Sequence, residues 1–412
     1  MKTQGNHNFL LLITGRLIAS LSSSIFAFAL SLYVLDLTGS ATIFSTVLSF
    51  SIIPGIFVNL FGGALVDRFN KKKIIVISDL LSGIVMCAFA YTFFRSSPGI
   101  PTIIGFTIFI SIIQSYYGLA MLSAIPEIIE QEKVSQANAY LQIMSTLLGI
   151  IGPVLGALAY KAFGMKFIIL FDTVAYFISA TMAIWMRFNL ITPEKKAGTY
   201  LEDMREAALY LFEHKTLRFL LVICVIMNAV YLPMIMLVMP FINYQVIKVS
   251  GFQLSLIEAA WAIGGTLGGI YVSTRKATQP IIKKLFVLLS IQSVLLLLWT
   301  FPALPALTGL NKNQITFIFC SILAVTGLLN MIQNIPVLTH FQLRIPEHLR
   351  AKVLGFINVA SMLSLPLGMW VFGILLGIFS WYYITAASAL LMLFICLVSS
   401  RNKHFVKFSE TL

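Results

Sequence analysis

Three carboxylic acids stand well inside long apolar runs of this sequence: Asp79, Asp172 and Glu258. An ionisable group in such a setting is costly to keep, so it suggests a function. A carboxyl group can carry a proton, and moving one charge through 100 mV is worth about 2.3 kcal/mol. We predict proton coupling by Glu258, whose inward helical neighbours Trp261 and Ala262 are apolar. Asp172 is the alternative, unless a structural hydrogen bond holds it.

Residues for other chemistries are scarce. All five histidines fall at positions predicted to be cytoplasmic, and none has a metal-ligand partner at useful spacing, so no metal site is predicted. No G-x-x-x-x-G-K-[ST] pattern is present, so ATP is not the expected energy source. No nucleophile–base pair stands out either. We therefore predict neither an enzyme nor a bound cofactor.

The composition defines the class of protein. The chain of 412 residues is 59% hydrophobic and 10% charged, more apolar surface than a soluble domain could bury. Windows of about 20 apolar residues, the length of a membrane helix, recur between short polar turns. We predict an all-α membrane protein with twelve transmembrane helices, embedded in the lipid bilayer.

The distribution of positive charge sets the predicted orientation. Of the 28 Lys and Arg residues, all but five fall in the loops that this assignment places on one side. The positive-inside rule makes that side cytoplasmic and places both termini there. The net charge of +13 therefore reflects membrane topology, and no nucleic-acid partner is expected.

A short charged turn joins two of the apolar runs: Gly63-Ala64-Leu65-Val66-Asp67-Arg68-Phe69-Asn70-Lys71-Lys72. A turn this short makes the flanking helices antiparallel neighbours. The stretch resembles the signature loop of the major facilitator superfamily, G-x-x-x-D-R-x-G-R-[KR]. Asn70 replaces the family's second glycine, and Asn tolerates positive φ, so the departure is mild.

The resemblance implies a conformational-switch loop built from Gly63, Asp67, Arg68, Lys71, Lys72 and Asp79. We expect Asp67 to contact the cytoplasmic part of the predicted eleventh helix. We expect Asp79 to form a structural clamp with Arg68 or with the lysines at 71–73. Arg16, about two turns into the first helix, either snorkels to the lipid headgroups or pairs with an acid in the bundle.

The predicted fifth helix contains Gly149-Ile150-Ile151-Gly152-Pro153-Val154-Leu155-Gly156. This resembles the G-x-x-x-G-P-x-x-G-G motif of superfamily antiporters, with a compressed start and Ala157 for the last glycine. The three glycines share one face, which lets another helix approach closely, and Pro153 bends the helix. We expect this face to pack against the glycines of the predicted eighth helix, which are Gly264, Gly265, Gly268 and Gly269.

The chain divides into similar halves. Six predicted spans lie in each half, at residues 1–187 and 218–412. The polar segment 188–217 links the two halves and includes an amphipathic interfacial helix. Laid over the first half, Gly268-Gly269 meets Gly62-Gly63, and Leu365-Pro366-Leu367-Gly368 faintly repeats the glycine–proline feature. Such paired halves are what the superfamily builds.

Polar side chains along the predicted helices suit an amphipathic organic substrate. We consider eight of them candidates for a substrate cavity, although polar groups also join neighbouring helices: Gln114, Tyr116, Asn228, Tyr231, Asn330, Gln333, Asn334 and Asn358. The loop Pro126-Glu127-Ile128-Ile129-Glu130 resembles the branch of the superfamily that contains macrolide-efflux proteins and siderophore exporters.

The residues and the resemblance together lead to an expected function. We expect proton-coupled export of an amphipathic, drug-like small molecule by a monomer in a bacterial plasma membrane. A lipid or siderophore exporter of the same fold is one alternative. A membrane receptor that transports nothing is the other.

Overall fold

A computed structural model describes residues 2–63, 66, 69–128, 134–186, 200–275, 279–304 and 309–402. Within these ranges the chain is helical and contains no strand. Lipid offers no partner for backbone N–H and C=O groups, so apolar runs of this length must satisfy them within a helix. Two compact units result, one of residues 1–38 and 47–197 and the other of residues 39–46 and 198–412.

Unit 1 contains most of the first six membrane helices, which we label α1 to α6. Their bounds are α1 Lys2–Thr38, α2 Ala41–Phe61, α3 Lys71–Arg95, α4 Ile100–Ile128, α5 134–163 and α6 165–185. The last two form one helical stretch broken at Gly164, whose φ of 74° favours glycine. Gly39, with φ 58°, plays the same part between α1 and α2. Residues 41–46 of α2 group with unit 2.

Unit 2 contains the other six membrane helices and the linker helix, Tyr200–Glu213. Their bounds are α7 Lys215–Pro233, α8 Gly251–Ser273, α9 Leu285–Leu297, α10 Lys312–Arg344, α11 Glu347–Ile378 and α12 Trp381–Ser400. Two π-helical turns, Met234–Val238 and Ile242–Val246, extend α7. A short helix, Gln279–Lys283, precedes α9, and a 3₁₀ segment, Leu298–Ala303, follows it.

The membrane-spanning segments match the predicted number. Among the described residues, 11 helical stretches are long and apolar enough to cross a bilayer, and one of them runs from Gln136 to Trp185. That stretch holds both α5 and α6, because Gly164 interrupts it. The prediction of an all-α membrane protein with twelve spans in two halves is confirmed.

Helix pairing within unit 1 recurs within unit 2. In unit 1, Gly156 of α5 packs on Ile25 and Phe28 of α1, and Gly55 of α2 packs on Ser115 of α4. In unit 2, Gly368 of α11 packs on Ala229 and Pro233 of α7, and Gly264 of α8 packs on Ala324 of α10. Likewise α3 packs on α6, and α9 packs on α12. The same three helix pairings therefore occur in both units, in agreement with the internal repeat of the sequence.

The expected contact between the two glycine faces is wrong. Gly152 and Gly156 of α5 lie against Ser24, Ile25 and Phe28 of α1, while open space adjoins Gly149. Gly264 and Gly268 of α8 lie against the backbone of Ala324 and Leu328 of α10. Close approach needs a small residue on one helix and a backbone on the other, and each face finds that backbone within its own unit.

The linker helix packs on unit 2. Its buried residues include Ala207 and Leu211, whereas Phe212 is 57% exposed. Lys352 of α11 donates a hydrogen bond of 2.6 Å to Glu206, which ties the helix to α11. The boundary between the two compact units, at 197/198, falls inside the segment 188–217 that we predicted as the linker.

Candidate functional site

Asp79 lies in a buried polar cluster of unit 1. Its side chain is 1% exposed, and its Oδ2 accepts a hydrogen bond of 2.6 Å from the Ser179 hydroxyl of α6. Its Oδ1 has no hydrogen-bond partner among the described residues. Burying a carboxyl oxygen without a hydrogen-bond partner costs folding free energy, so an acid at this position suggests a functional role.

Arg16 of α1 completes this cluster. Its guanidinium lies over the ring of Tyr117 at 4.9 Å from the ring centroid and interacts electrostatically with Asp79. Tyr117 is 2% exposed, so the stack brings the charge into the helical bundle. Arg16 therefore lies against Tyr117 within the bundle, and it forms no ion pair with an acid among the described residues.

The expected clamp between Asp79 and the lysines at 71–73 is wrong. Lys72 donates hydrogen bonds of 2.7 Å to the carbonyl oxygens of Ile184 and Met186, at the end of α6. Lys73 is exposed. These lysines begin about two turns, roughly 10 Å, from Asp79 along the same helix, and the Lys72 ammonium group is already engaged by the two carbonyls. The lysine instead meets the free carbonyls at a helix C-terminus.

Asp172 of α6 is also buried, at 1% exposure. The Ser23 hydroxyl of α1 lies 3.5 Å from its Oδ1 and 2.9 Å from the Tyr176 hydroxyl. Asp172, Tyr176 and Ser179 follow one another at i, i+4 and i+7 on one face of α6. Two buried acids, Asp79 and Asp172, thus border one polar face between neighbouring helices.

Glu258 of α8 has a different environment. It is half-buried, and no described residue forms a hydrogen bond or an ion pair with its carboxyl group. One turn further along α8, the Trp261 Nε1 is buried and has no hydrogen-bond partner among the described residues. The carboxyl group is thus free of the serine contacts that hold Asp79 and Asp172.

Unit 2 contains a partly open cavity of about 250 Å³ between α7, α9, α10 and α12. Six polar side chains contribute to its wall, namely Asn228, Tyr231, Gln292, Asn330, Gln333 and Asn334. Leu220, Leu289, Val337 and Met392 are among its apolar lining residues. We call it the amide cavity, since five of the six polar groups are carboxamides. No charged side chain lines it.

Five of the residues that the sequence suggested for a substrate cavity meet here: Asn228, Tyr231, Asn330, Gln333 and Asn334. The other three lie elsewhere. Gln114 of α4 donates to the Ser82 hydroxyl at 2.9 Å in unit 1, and Tyr116 packs beside Gly62. Asn358 is exposed on α11. The bond from Gln114 to Ser82 joins two helices, which is the alternative to a cavity role that we gave for such polar residues.

Sequence reasoning missed Gln292, whereas Gln333 was among its candidates for the cavity. Both are buried, at 2% and 5% exposure, on α9 and α10. A glutamine inside an apolar run is a signal available from the sequence. Which glutamines meet depends on the rotation of each helix, which the apolar pattern of a membrane helix leaves open.

Asp67 and Arg68 of the signature loop lie outside the described residues, so their roles stay predictions. Among the loop residues that are described, Gly63 adjoins open space. Asn70 takes an N-cap role, since its side chain accepts a hydrogen bond of 3.2 Å from the Lys73 N–H and begins α3.

Comparison with known proteins places the chain in a family. The family model described as Major Facilitator Superfamily matches residues 12–369, and the chain belongs to this superfamily. It is similar to macrolide efflux protein A of Streptococcus pyogenes, at 23% identity over 93% of both chains. It is also similar to the multidrug efflux pump Tap of Mycobacterium tuberculosis, at 22% identity over 88% of this chain and 85% of the pump.

Among solved structures, the nucleoside transporter NupG aligns with a TM-score of 0.75 at 14% identity, covering 96% of this chain and all of that one. At that identity the likeness shows the fold alone. Family membership, twelve apolar spans and the repeated helix pairings indicate a multi-pass membrane transporter rather than an enzyme. The resemblance stated from the signature loop is confirmed.

Proposed function

We propose that the protein is a secondary active exporter of amphipathic, drug-like compounds, macrolide-type or other antibiotics, in exchange for protons. It acts by alternating access as a monomer in a bacterial plasma membrane, with both termini in the cytoplasm. The efflux proteins named above support export, since they match over most of this chain. The single structural observation that carries the proposal is the amide cavity.

The lining of the amide cavity suits an amphipathic substrate. Ligand sites are mostly apolar, with a few polar groups that orient the ligand. Here leucines, Val337 and Met392 supply apolar surface, and the carboxamides of Asn228 and Asn334 supply hydrogen-bonding groups. Methionine side chains adapt to varied shapes, which favours more than one substrate.

Proton coupling is assigned to Glu258 and Asp172. An acid in a membrane helix is a functional candidate by default. Glu258 has no partner among the described residues, so its carboxyl group is free to gain and lose a proton. The Ser23 hydroxyl lies 3.5 Å from the Asp172 Oδ1, a length at which a hydrogen bond is weak. These surroundings support Glu258 as the principal coupling residue, with Asp172 second.

The test of export is expression in a bacterium that lacks its own efflux pumps, followed by growth-inhibition measurements with macrolides and other antibiotics. Protection that disappears when a protonophore collapses the proton gradient is the expected result. The matched control is an Asn228→Leu/Asn334→Leu double variant, which keeps the fold but removes two polar groups from the cavity. No protection by any compound, together with movement of labelled lipid by purified protein in vesicles, would instead favour a lipid exporter.

A further inference from the structure

The amide cavity contains a polar group that its own walls leave unused. Gln333 lines the cavity, is 5% exposed, and its Nε2 has no hydrogen-bond partner among the described residues. An unpaired buried amide N–H costs free energy that a folded protein normally avoids. A ligand with an acceptor oxygen placed at this nitrogen would remove that cost.

The neighbouring carboxamides have the complementary arrangement. The Gln292 Nε2 donates to the Thr326 carbonyl at 3.1 Å, and the Asn228 Nδ2 donates to the Cys224 carbonyl at 2.8 Å. The Asn334 Nδ2 donates to the Asn330 carbonyl at 3.0 Å. Because the nitrogens of these three groups are engaged by the protein, their carbonyl oxygens are the ends left to accept hydrogen bonds. The cavity therefore presents the buried, unpaired Gln333 donor beside several acceptors.

Charge and size restrict what can bind. No Asp, Glu, Lys, Arg or His lines the cavity, so an ionic ligand would lose its hydration without gaining a counter-charge. The volume of about 250 Å³ is smaller than the roughly 300–1,000 Å³ of sites for a drug-sized molecule, but the cavity is partly open, so a larger ligand can extend out of it. A compact molecule fits, or one compact portion of a larger molecule.

We infer that the amide cavity selects a compact uncharged group with a carbonyl-type acceptor and a hydroxyl or N–H donor. Gln333 donates to the acceptor, and the carbonyl oxygens of Asn228, Gln292 and Asn334 receive the donors. Gln333 is thus a specificity-determining residue. This inference rests on the proposed export function for its role in the cell, but the binding preference is measurable without transport.

The test compares two probes on purified full-length protein in detergent, by isothermal titration calorimetry. Chloramphenicol is an uncharged amide with hydroxyl groups, and tetraphenylphosphonium is a permanent cation without hydrogen-bonding groups. Wild type should prefer chloramphenicol. Gln333→Met keeps the side-chain length and removes the donor, so chloramphenicol affinity should fall about tenfold, equivalent to 1.4 kcal/mol.

Gln333→Glu keeps the shape and adds a negative charge, so this variant should lose chloramphenicol and gain tetraphenylphosphonium. Gln142→Met, at an exposed position on α5 of unit 1, is the matched control and should bind as wild type does. Melting temperatures of all variants show that each is folded. Wild type that prefers the cation or binds neither probe, or a Gln333→Glu variant with an unchanged preference, would overturn the inference.

The two proposals fail separately. Selective binding of chloramphenicol without any gradient-driven export would leave the binding inference standing and remove the export function. Export of antibiotics that is insensitive to both Gln333 substitutions would do the reverse.

Discussion

The Ser179 hydroxyl on α6 donates a hydrogen bond of 2.6 Å to Asp79 on α3, and both side chains are buried. The second oxygen of Asp79 has no hydrogen-bond partner within the described part of the chain. Arg16 acts on the same carboxyl group electrostatically. This cluster joins α1, α3 and α6 within unit 1, so substitutions in it should destabilise the whole unit.

Removing the serine hydroxyl should destabilise the protein. Ser179→Ala leaves both oxygens of Asp79 without a hydrogen-bond donor, a loss of about 1–3 kcal/mol for a buried group. We expect a lower melting temperature in detergent for Ser179→Ala and a smaller loss for Ser179→Thr, which keeps a hydroxyl. In the Ser179→Ala/Asp79→Asn double variant the losses should not add, since the residues share one interaction. Strict additivity would contradict the contact.

Two adjacent glycines of α8 should respond in opposite directions to alanine. A Cβ at Gly268 would collide with the Leu328 backbone, whereas a Cβ at Gly269 would have Ile335 at 3.9 Å as its nearest neighbour. Gly268→Ala should therefore lower the melting temperature. Gly269→Ala should leave it unchanged or raise it, since alanine is about 1 kcal/mol better than glycine inside a helix. Equal tolerance at both positions would refute the close packing of α8 on α10.

Lys72 should matter through its contacts with the end of α6. Lys72→Met removes two hydrogen bonds to backbone carbonyls, each made by a charged donor worth about 1.5–3 kcal/mol. We expect a clear fall in melting temperature for Lys72→Met and a partial recovery in Lys72→Arg. Lys73→Met is the matched control, because Lys73 is exposed. A control variant as unstable as Lys72→Met would show that the effect is one of total loop charge.

Asp67 tests the loop motif. Asp67→Asn should insert into the membrane and purify like wild type but transport poorly, because the resemblance gives this carboxylate a role in switching. Antibiotic protection in cells, normalised to the amount of protein in the membrane, is the measurement. Asp36→Asn is a control acid, which accepts a hydrogen bond from Tyr160 outside this loop. Full protection by Asp67→Asn would contradict the predicted role of this carboxylate in switching.

The order of the two coupling acids can be decided in vesicles. Glu258→Gln and Asp172→Asn each remove a titratable group with little change in shape. Substrate-induced proton release should be abolished in Glu258→Gln, because no described residue near Glu258 could carry the proton in its place. In Asp172→Asn the release should only be weakened. If Glu258→Gln still couples protons to export while Asp172→Asn does not, the order is reversed.

The sequence by itself determined the class, the number of spans and the repeat. Apolar runs of about 20 residues can exist in lipid only as helices, because no water is present to satisfy the backbone. The signature loop identified the family through residues that are adjacent in the chain.

The tertiary structure alone decided which side chains meet. Asp79 and Ser179 are 100 residues apart in sequence, and Gln292 and Gln333 lie on separate helices. In lipid, helix faces are chosen by close packing and hydrogen bonds rather than by hydrophobicity, because every face is apolar. The periodicity that reveals an inner face in a soluble protein is therefore weak here. For that reason the expected contact of Asp79 with the lysines at 71–73 was wrong, and the glycine faces were paired across units instead of within them.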